Sequence, residues 1–197
     1  GQDALSYCQL ETADNRHTLV ARDGSLVSII KLHGATQLVG PEEFARIHKG
    51  LITSLGSPFS RLGHALQVYF HYDKEVVKEE ITDIFSPAQA TAKRLKMDFD
   101  DLFDERVTNL SSYCASESCF FVLWTRPNSL SQTQLDASNK AKLQRIRDAK
   151  IQPVPRAQNV IAAVPELRET HDSFVRSVLN DMLDLSLYSV LLDVHKA

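Results

Sequence analysis

A chain of 197 residues with 22 Lys and Arg against 25 Asp and Glu has a net charge of −3, which argues against a dedicated nucleic-acid binder. Apolar content of 43% and charged content of 24% are ordinary for a globular chain, long enough for one large domain or two small ones. The longest apolar run, near Cys119–Trp124, falls far short of the roughly 18 residues that cross a bilayer, and no secretory apolar segment follows Gly1.

In chain order, Ala4–Leu10 alternates like a short strand and Glu11–Arg16 reads as a polar loop. From His17 two apolar-alternating runs flank Asp23-Gly24, a dipeptide suited to a two-residue hairpin turn in which both central residues take φ > 0. Gly34 and Gly40 are expected to break the second strand. Pro41-Glu42-Glu43 then opens a helix, since proline fits the first helical position and acids favour the N-terminal dipole. That helix should run to about Leu55, with Phe44, Ile47, Leu51 and Leu55 on one stripe, and stop at Gly56-Ser57-Pro58. His64–Tyr72 alternates as a strand. Asp73–Phe85 reads as an amphipathic helix, Ser86-Pro87 as a new helix start, and Asp98 as the cap of a helix burying Phe99, Leu102, Phe103, Val107, Leu110 and Cys114.

Ser118–Thr125 has the length and aromatic content of a central strand buried on both faces. Leu130–Lys150 is helix-prone but short of apolar residues, so it should face solvent. A strand is expected at Asn159–Ala163, a helix over Pro165–Leu183 with Leu167, Phe174, Val178, Leu179 and Met182 inward, and a last strand at Leu187–Val194. The fold class is therefore α+β: a mixed or antiparallel sheet led by a β-hairpin, with helices packed on it. Residues 1–197 are read as a single domain, with 151–197 as the start of a second subdomain.

Few residues point to chemistry. No Gly-Lys dipeptide exists, hence no GxxxxGK[ST] phosphate loop, and there is no G-x-G-x-x-G. Three cysteines suit a reducing cytoplasm better than a disulfide framework. Cys114 and Cys119 would need two more ligands to hold zinc, and His171 and His195 lie far away in sequence. Cys8, Cys114 or Cys119 with a histidine could form a nucleophile pair, but isolated histidines such as His33 are usually structural or exposed. Asp98-Phe99-Asp100-Asp101 fails as a calcium loop: the sixth position is Phe103, not Gly, and the twelfth is Asn109, not Glu. No catalytic, cofactor or metal residue is assigned. Lys140, Lys142, Arg145, Arg147 and Lys150 crowd one helix-prone segment with Asp148 the only acid among them. The plain reading is a solvated helix face. The functional reading makes Lys140, Lys142, Arg145 and Arg147 partner-binding residues for anionic lipid headgroups or an acidic protein surface.

The order Asp23-Gly24-Ser25-Leu26-Val27, Leu32-His33-Gly34, Pro41-Glu42-Glu43-Phe44, then the strand Leu66–Tyr72, resembles the N-terminal domain of the type IV secretion and conjugation ATPases, the TraC/TrbE/CagE class. The resemblance covers about residues 15–125 and includes no motor. It implies a non-catalytic module of a bacterial protein at the cytoplasmic face of the inner membrane. Such a module docks the motor to inner-membrane secretion proteins and aids assembly with neighbouring ATPase subunits, with no direct nucleic-acid contact. The resemblance places ATP and magnesium on the missing motor domain and no cofactor here. The rival expectation, from the residues alone, is a small stand-alone enzyme such as a thiol hydrolase.

Overall fold

Residues 10–148 and 164–195 are described by a computed structural model of the chain, the side chains of Glu11, Arg145 and Ile146 excepted. The strands expected at Ala4–Leu10 (save Leu10 itself) and at Asn159–Ala163 lie outside the described residues, as do Cys8 and Lys150. The elements are β1 (Leu10–Asn15), β2 (Thr18–Ala21), β3 (Leu26–Ala35), α1 (Pro41–Phe59), β4 (His64–Asp73), α2 (Val77–Arg94), α3 (Asp100–Tyr113), β5 (Ser116–Thr125), a 3-10 turn (Pro127–Ser129), α4 (Gln132–Asp148), α5 (Pro165–Asp184) and β6 (Leu187–Leu191). The strands form an antiparallel sheet in the order β1-β2-β3-β5-β4, with β6 also on β3. The α+β class is as expected from the sequence. The chain divides into two compact units, residues 1–69 with 120–197, and Phe70–Cys119; α5 and β6 therefore belong to the first unit.

In the first unit the hairpin is real but its turn is of another type. Leu19 pairs with Val27 and Val20 with Leu26, which leaves the five residues Ala21–Ser25 to turn the chain. Gly24 N–H donates to the Ala21 carbonyl (2.9 Å) and Ala21 N–H to the Ser25 carbonyl (2.8 Å). Only Gly24 has positive φ, +82°, so this is a turn closed by one left-handed glycine rather than two left-handed residues. Asp23 Oδ1 accepts from Ser25 N–H (2.9 Å). β3 is the spine: Leu26, Val27, Ser28 and Ile30 are all buried. Gly34 does not end it. With φ +114° it absorbs a register shift against β6 between Leu32 and Gly34, the usual work of glycine at a bulge.

Other boundaries also moved. The polar stretch from Glu11 is strand, because β1 pairs with β2 through an irregular register; Asn15 Oδ1, accepting from His17 N–H (2.8 Å), tightens the turn. α1 begins at Pro41 as expected, with the Glu43 carboxylate accepting from Gly40 N–H (3.1 Å). It runs past Gly56 to Phe59, since a proline in the last turn removes only one helical bond. Of its predicted stripe Ile47 is buried while Phe44 is exposed. β5 alternates instead of burying both faces: Phe121, Leu123 and Thr125 are buried and Phe120, Val122 and Trp124 half-buried.

The second unit is a helical pair. Val77, Ile81 and Val107 make its core with Phe85 against them, and Phe85 meets Phe103 at 5.9 Å between centroids. α2 passes straight through Ser86-Pro87, so no new helix starts there. α3 begins at Asp100 after Phe99, so Asp98 is not its cap. Phe99, Leu102, Leu110 and Cys114, expected to be buried, are exposed, because α2 covers only a narrow stripe of α3.

Gly24→Val should destabilise the protein by roughly 1–3 kcal/mol, the cost of holding a β-branched residue at positive φ. Its added Cβ meets only ordinary contact with Pro127 at 3.6 Å, so the loss would be conformational. Urea unfolding of wild type and variant measures it, and an unchanged midpoint would contradict this turn geometry.

Candidate functional site

Helix α5 starts at Pro165, which suits a first helical turn. At 100° per residue, positions 167, 171, 174, 178 and 182 fall on one face. Leu167, Phe174, Val178 and Met182 fill that face as expected from the sequence, and between them sits His171, fully buried. A histidine here must find partners or pay for its polarity.

It finds both. His171 Nε2 lies 2.9 Å from Ser28 Oγ on β3, and Nδ1 lies 2.8 Å from Thr125 Oγ1 at the end of β5. Ser28 Oγ donates its single proton to the His17 carbonyl (2.7 Å). It must therefore accept from His171, which makes Nε2 the protonated nitrogen and Nδ1 the acceptor of the Thr125 hydroxyl. Thr125 Oγ1 in turn is 3.3 Å from His64 Nδ1 at the start of β4 and accepts from it. The protons thus all point one way, from His64 through Thr125, His171 and Ser28 to a backbone carbonyl. Burial, with a smaller push from His64, lowers the His171 pKa to about 4 against the weak pull of Asp14. Burial and then Arg61 lower that of His64 below 6.5. Ser28, 2% exposed and with its proton engaged, is a poor nucleophile despite the Ser-His pairing.

At its His64 end the chain reaches a cleft of 510 Å³ between the last turn of α1, the following turn and α5. A tilted ring contact with Phe174, 4.3 Å between centroids, holds the His64 ring.

A second anchor ties α5 to β1. Arg168 donates two hydrogen bonds of 2.5 Å to the Asp14 carboxylate, whose side chain is 2% exposed. The Asp14 bond raises the Arg168 pKa. Lys142 belongs to this neighbourhood: it is half-buried, and burial lowers its pKa while Asp14 acts the other way.

The four expected partner-binding residues are thus not equivalent. α4 is nucleated by a reciprocal cap, with Gln134 N–H donating to Ser131 Oγ (3.3 Å) and Ser131 N–H to Gln134 Oε1 (3.0 Å). Gln132 to Asp136 and Gln144 to Asp148 add bonds one turn apart, 3.0 Å each. Lys140 and Arg147 are exposed and, seven residues apart, share one side of the helix. Lys142 points to nearly the opposite side. The Arg145 side chain lies outside the described residues.

Cys119 is half-buried and burial raises its pKa, the reverse of what an attacking thiolate needs. Among the described residues no group of three or more His, Cys, Asp or Glu is placed to hold a metal, and no helix is long and apolar enough to cross a membrane. Ser28, Thr125 and His171 were invisible as a group in the sequence. The signal for His171 was its place on the apolar stripe of α5. Set against known proteins, the chain matches no protein-family model, and no curated protein matches it significantly.

The unfolded chain takes up a proton at His171 near pH 6.5, whereas the folded protein accepts it only near 4. The sign follows: stability is full above pH 6.5 and falls as pH drops from there toward 4, by roughly 3 kcal/mol in all. Urea midpoints between pH 7.5 and 4 should show this decline, and His171→Asn should flatten it. An equal slope in the variant would place the acid sensitivity elsewhere. Asp14→Asn should cost roughly 3 kcal/mol by leaving Arg168 without its counter-charge, and Asp14→Asn with Arg168→Gln less than the sum of the two single changes; strict additivity would deny the coupling.

Proposed function

We propose that this chain is the non-catalytic N-terminal docking module of a type IV secretion ATPase of the TraC/TrbE/CagE class, with the Dot/Icm-type member DotO (IcmB) as the protein it resembles. The module attaches the motor to the inner-membrane secretion complex at the cytoplasmic face of the bacterial membrane and aids assembly of neighbouring subunits. ATP and magnesium belong to the motor.

The observation that carries the reading is the surface of α4. Among the described side chains of α4 the fully buried one is Ser138, and Leu143, a large apolar residue, is 55% exposed. A helix held by its cap and its own polar pairs leaves its outer side available for a partner. Lys140 and Arg147 give that side its charge, suited to anionic headgroups or an acidic protein. The order of hairpin, acid-started helix and following strand also accords with the resemblance, and the Ser28–His171 pairing is sealed in the core.

Lys140→Glu with Arg147→Glu tests it in the full-length protein. Lys142 is left alone, because a carboxylate there would face Asp14. Surface changes of this kind cost within about 0.5 kcal/mol each, so the fold should persist. Recovery of the variant in the membrane fraction should drop, and wild-type recovery should weaken with added salt, since exposed charges are screened over ~8 Å at physiological ionic strength. A folded variant that fractionates as wild type refutes docking through α4.

A further inference from the structure

The cleft at His64 lies in the first unit, and the docking role does not use it. Its volume of 510 Å³ is that of a small-ligand site. Two opposite charges line it, Arg61 from the turn after α1 and Glu169 from α5. Both are exposed, and among the described residues neither forms an ion pair, with the other or with any third group. Opposite charges that share a cleft without meeting leave room for a molecule that carries both signs.

The uncharged groups agree. Ser57 at the end of α1, and Ser173 and Ser177 one turn apart on α5, also line the cleft. Thr170 does not compete for this role, because its hydroxyl donates to the Glu166 carbonyl (2.8 Å). His64 Nδ1 is committed inward to Thr125 as donor, so Nε2, the nitrogen left for the cleft, is an acceptor that suits a protonated group of the ligand. A guanidinium with hydroxyls around it is the usual recognition set for an oxyanion, and a carboxylate is the matching one for an ammonium. A second cleft of 450 Å³ shares Glu169, Ser173 and Ser177 and continues to Arg176 and Asn180, which gives space for the rest of a larger molecule beyond the Glu169 end.

We propose that this cleft binds a zwitterion, its oxyanion at Arg61 and its ammonium at Glu169, with the His64 ring forming the wall between them. A free amino-phosphate compound and a phosphoethanolamine lipid headgroup share that chemistry.

The test uses isotope-labelled protein and three probes: O-phosphoethanolamine, inorganic phosphate and ethanolamine. O-phosphoethanolamine should shift the His64 imidazole signals and the amides of Arg61 and Ser173, and should bind about tenfold or more tightly than either half-molecule, the return on one added charge-assisted contact. Arg61→Gln and Glu169→Gln, both at exposed positions, should keep the melting temperature and each abolish that margin. Vesicles containing phosphatidylethanolamine, compared with phosphatidylcholine alone, tell the sources apart: displacement of the free probe by the first identifies a headgroup site, and its absence a site for the soluble compound. Inorganic phosphate binding as tightly as O-phosphoethanolamine, or a margin that survives Glu169→Gln, overturns the proposal, as does a His64 signal that no probe moves.

Discussion

A neutral imidazole has one donor and one acceptor, and at His171 both are used inside the protein. Apolar contact between a helix and a sheet is tolerant of sliding, since Leu167, Val178 and Met182 would be nearly as well buried after a small shift along the axis. A hydrogen-bonded chain is not tolerant. If α5 moved by a fraction of a turn, Ser28 and Thr125 would lose their partner in a place water does not reach, and each orphaned group would cost about 1–3 kcal/mol. The polar chain thus selects one seating of α5 on β3, β5 and β4 among several that hydrophobicity alone would accept. The Arg168–Asp14 pair repeats the device at the β1 side.

α4 is organised on the opposite principle. Its stability comes from within, through the Ser131 cap and the Gln–Asp pairs, while Lys142 on its inner side is drawn toward the Asp14 neighbourhood. The same run of basic residues therefore divides between internal electrostatics and an outward face. Charge counted along a segment says nothing about this division; only the helical step and the neighbour across it do.

Much of the fold was legible. The α5 stripe, the hairpin about Gly24 and the acid-started helix at Pro41 all rest on local rules that tertiary structure had no reason to override. The failures share a cause. Gly34 and Gly56 read as stops and Ser86-Pro87 as a helix start, but such a signal costs only a bond or a little entropy, and packing across the neighbouring elements outweighs it. β1 was missed because its residues are polar and its strand character comes from β2. The polar chain was not legible at all: Ser28, Thr125 and His171 are far apart in sequence, and each alone is an unremarkable residue on an apolar run. The cleft at His64 is likewise assembled from α1, β4 and α5, and no local pattern announces it.

β3 is flanked along one side by two strands of very different origin: β2, joined to it by a tight turn, and β6, which pairs Ile30 with Leu191 near the other end of the chain. As the chain leaves the ribosome, the hairpin emerges with half of that side unpaired and remains so until β6 follows. α2 and α3, by contrast, are neighbours in sequence and can close on each other at once. The late-arriving pairing makes the first unit the slow partner in folding, and for the length of synthesis β3 keeps an open edge, the kind that invites pairing with other nascent chains.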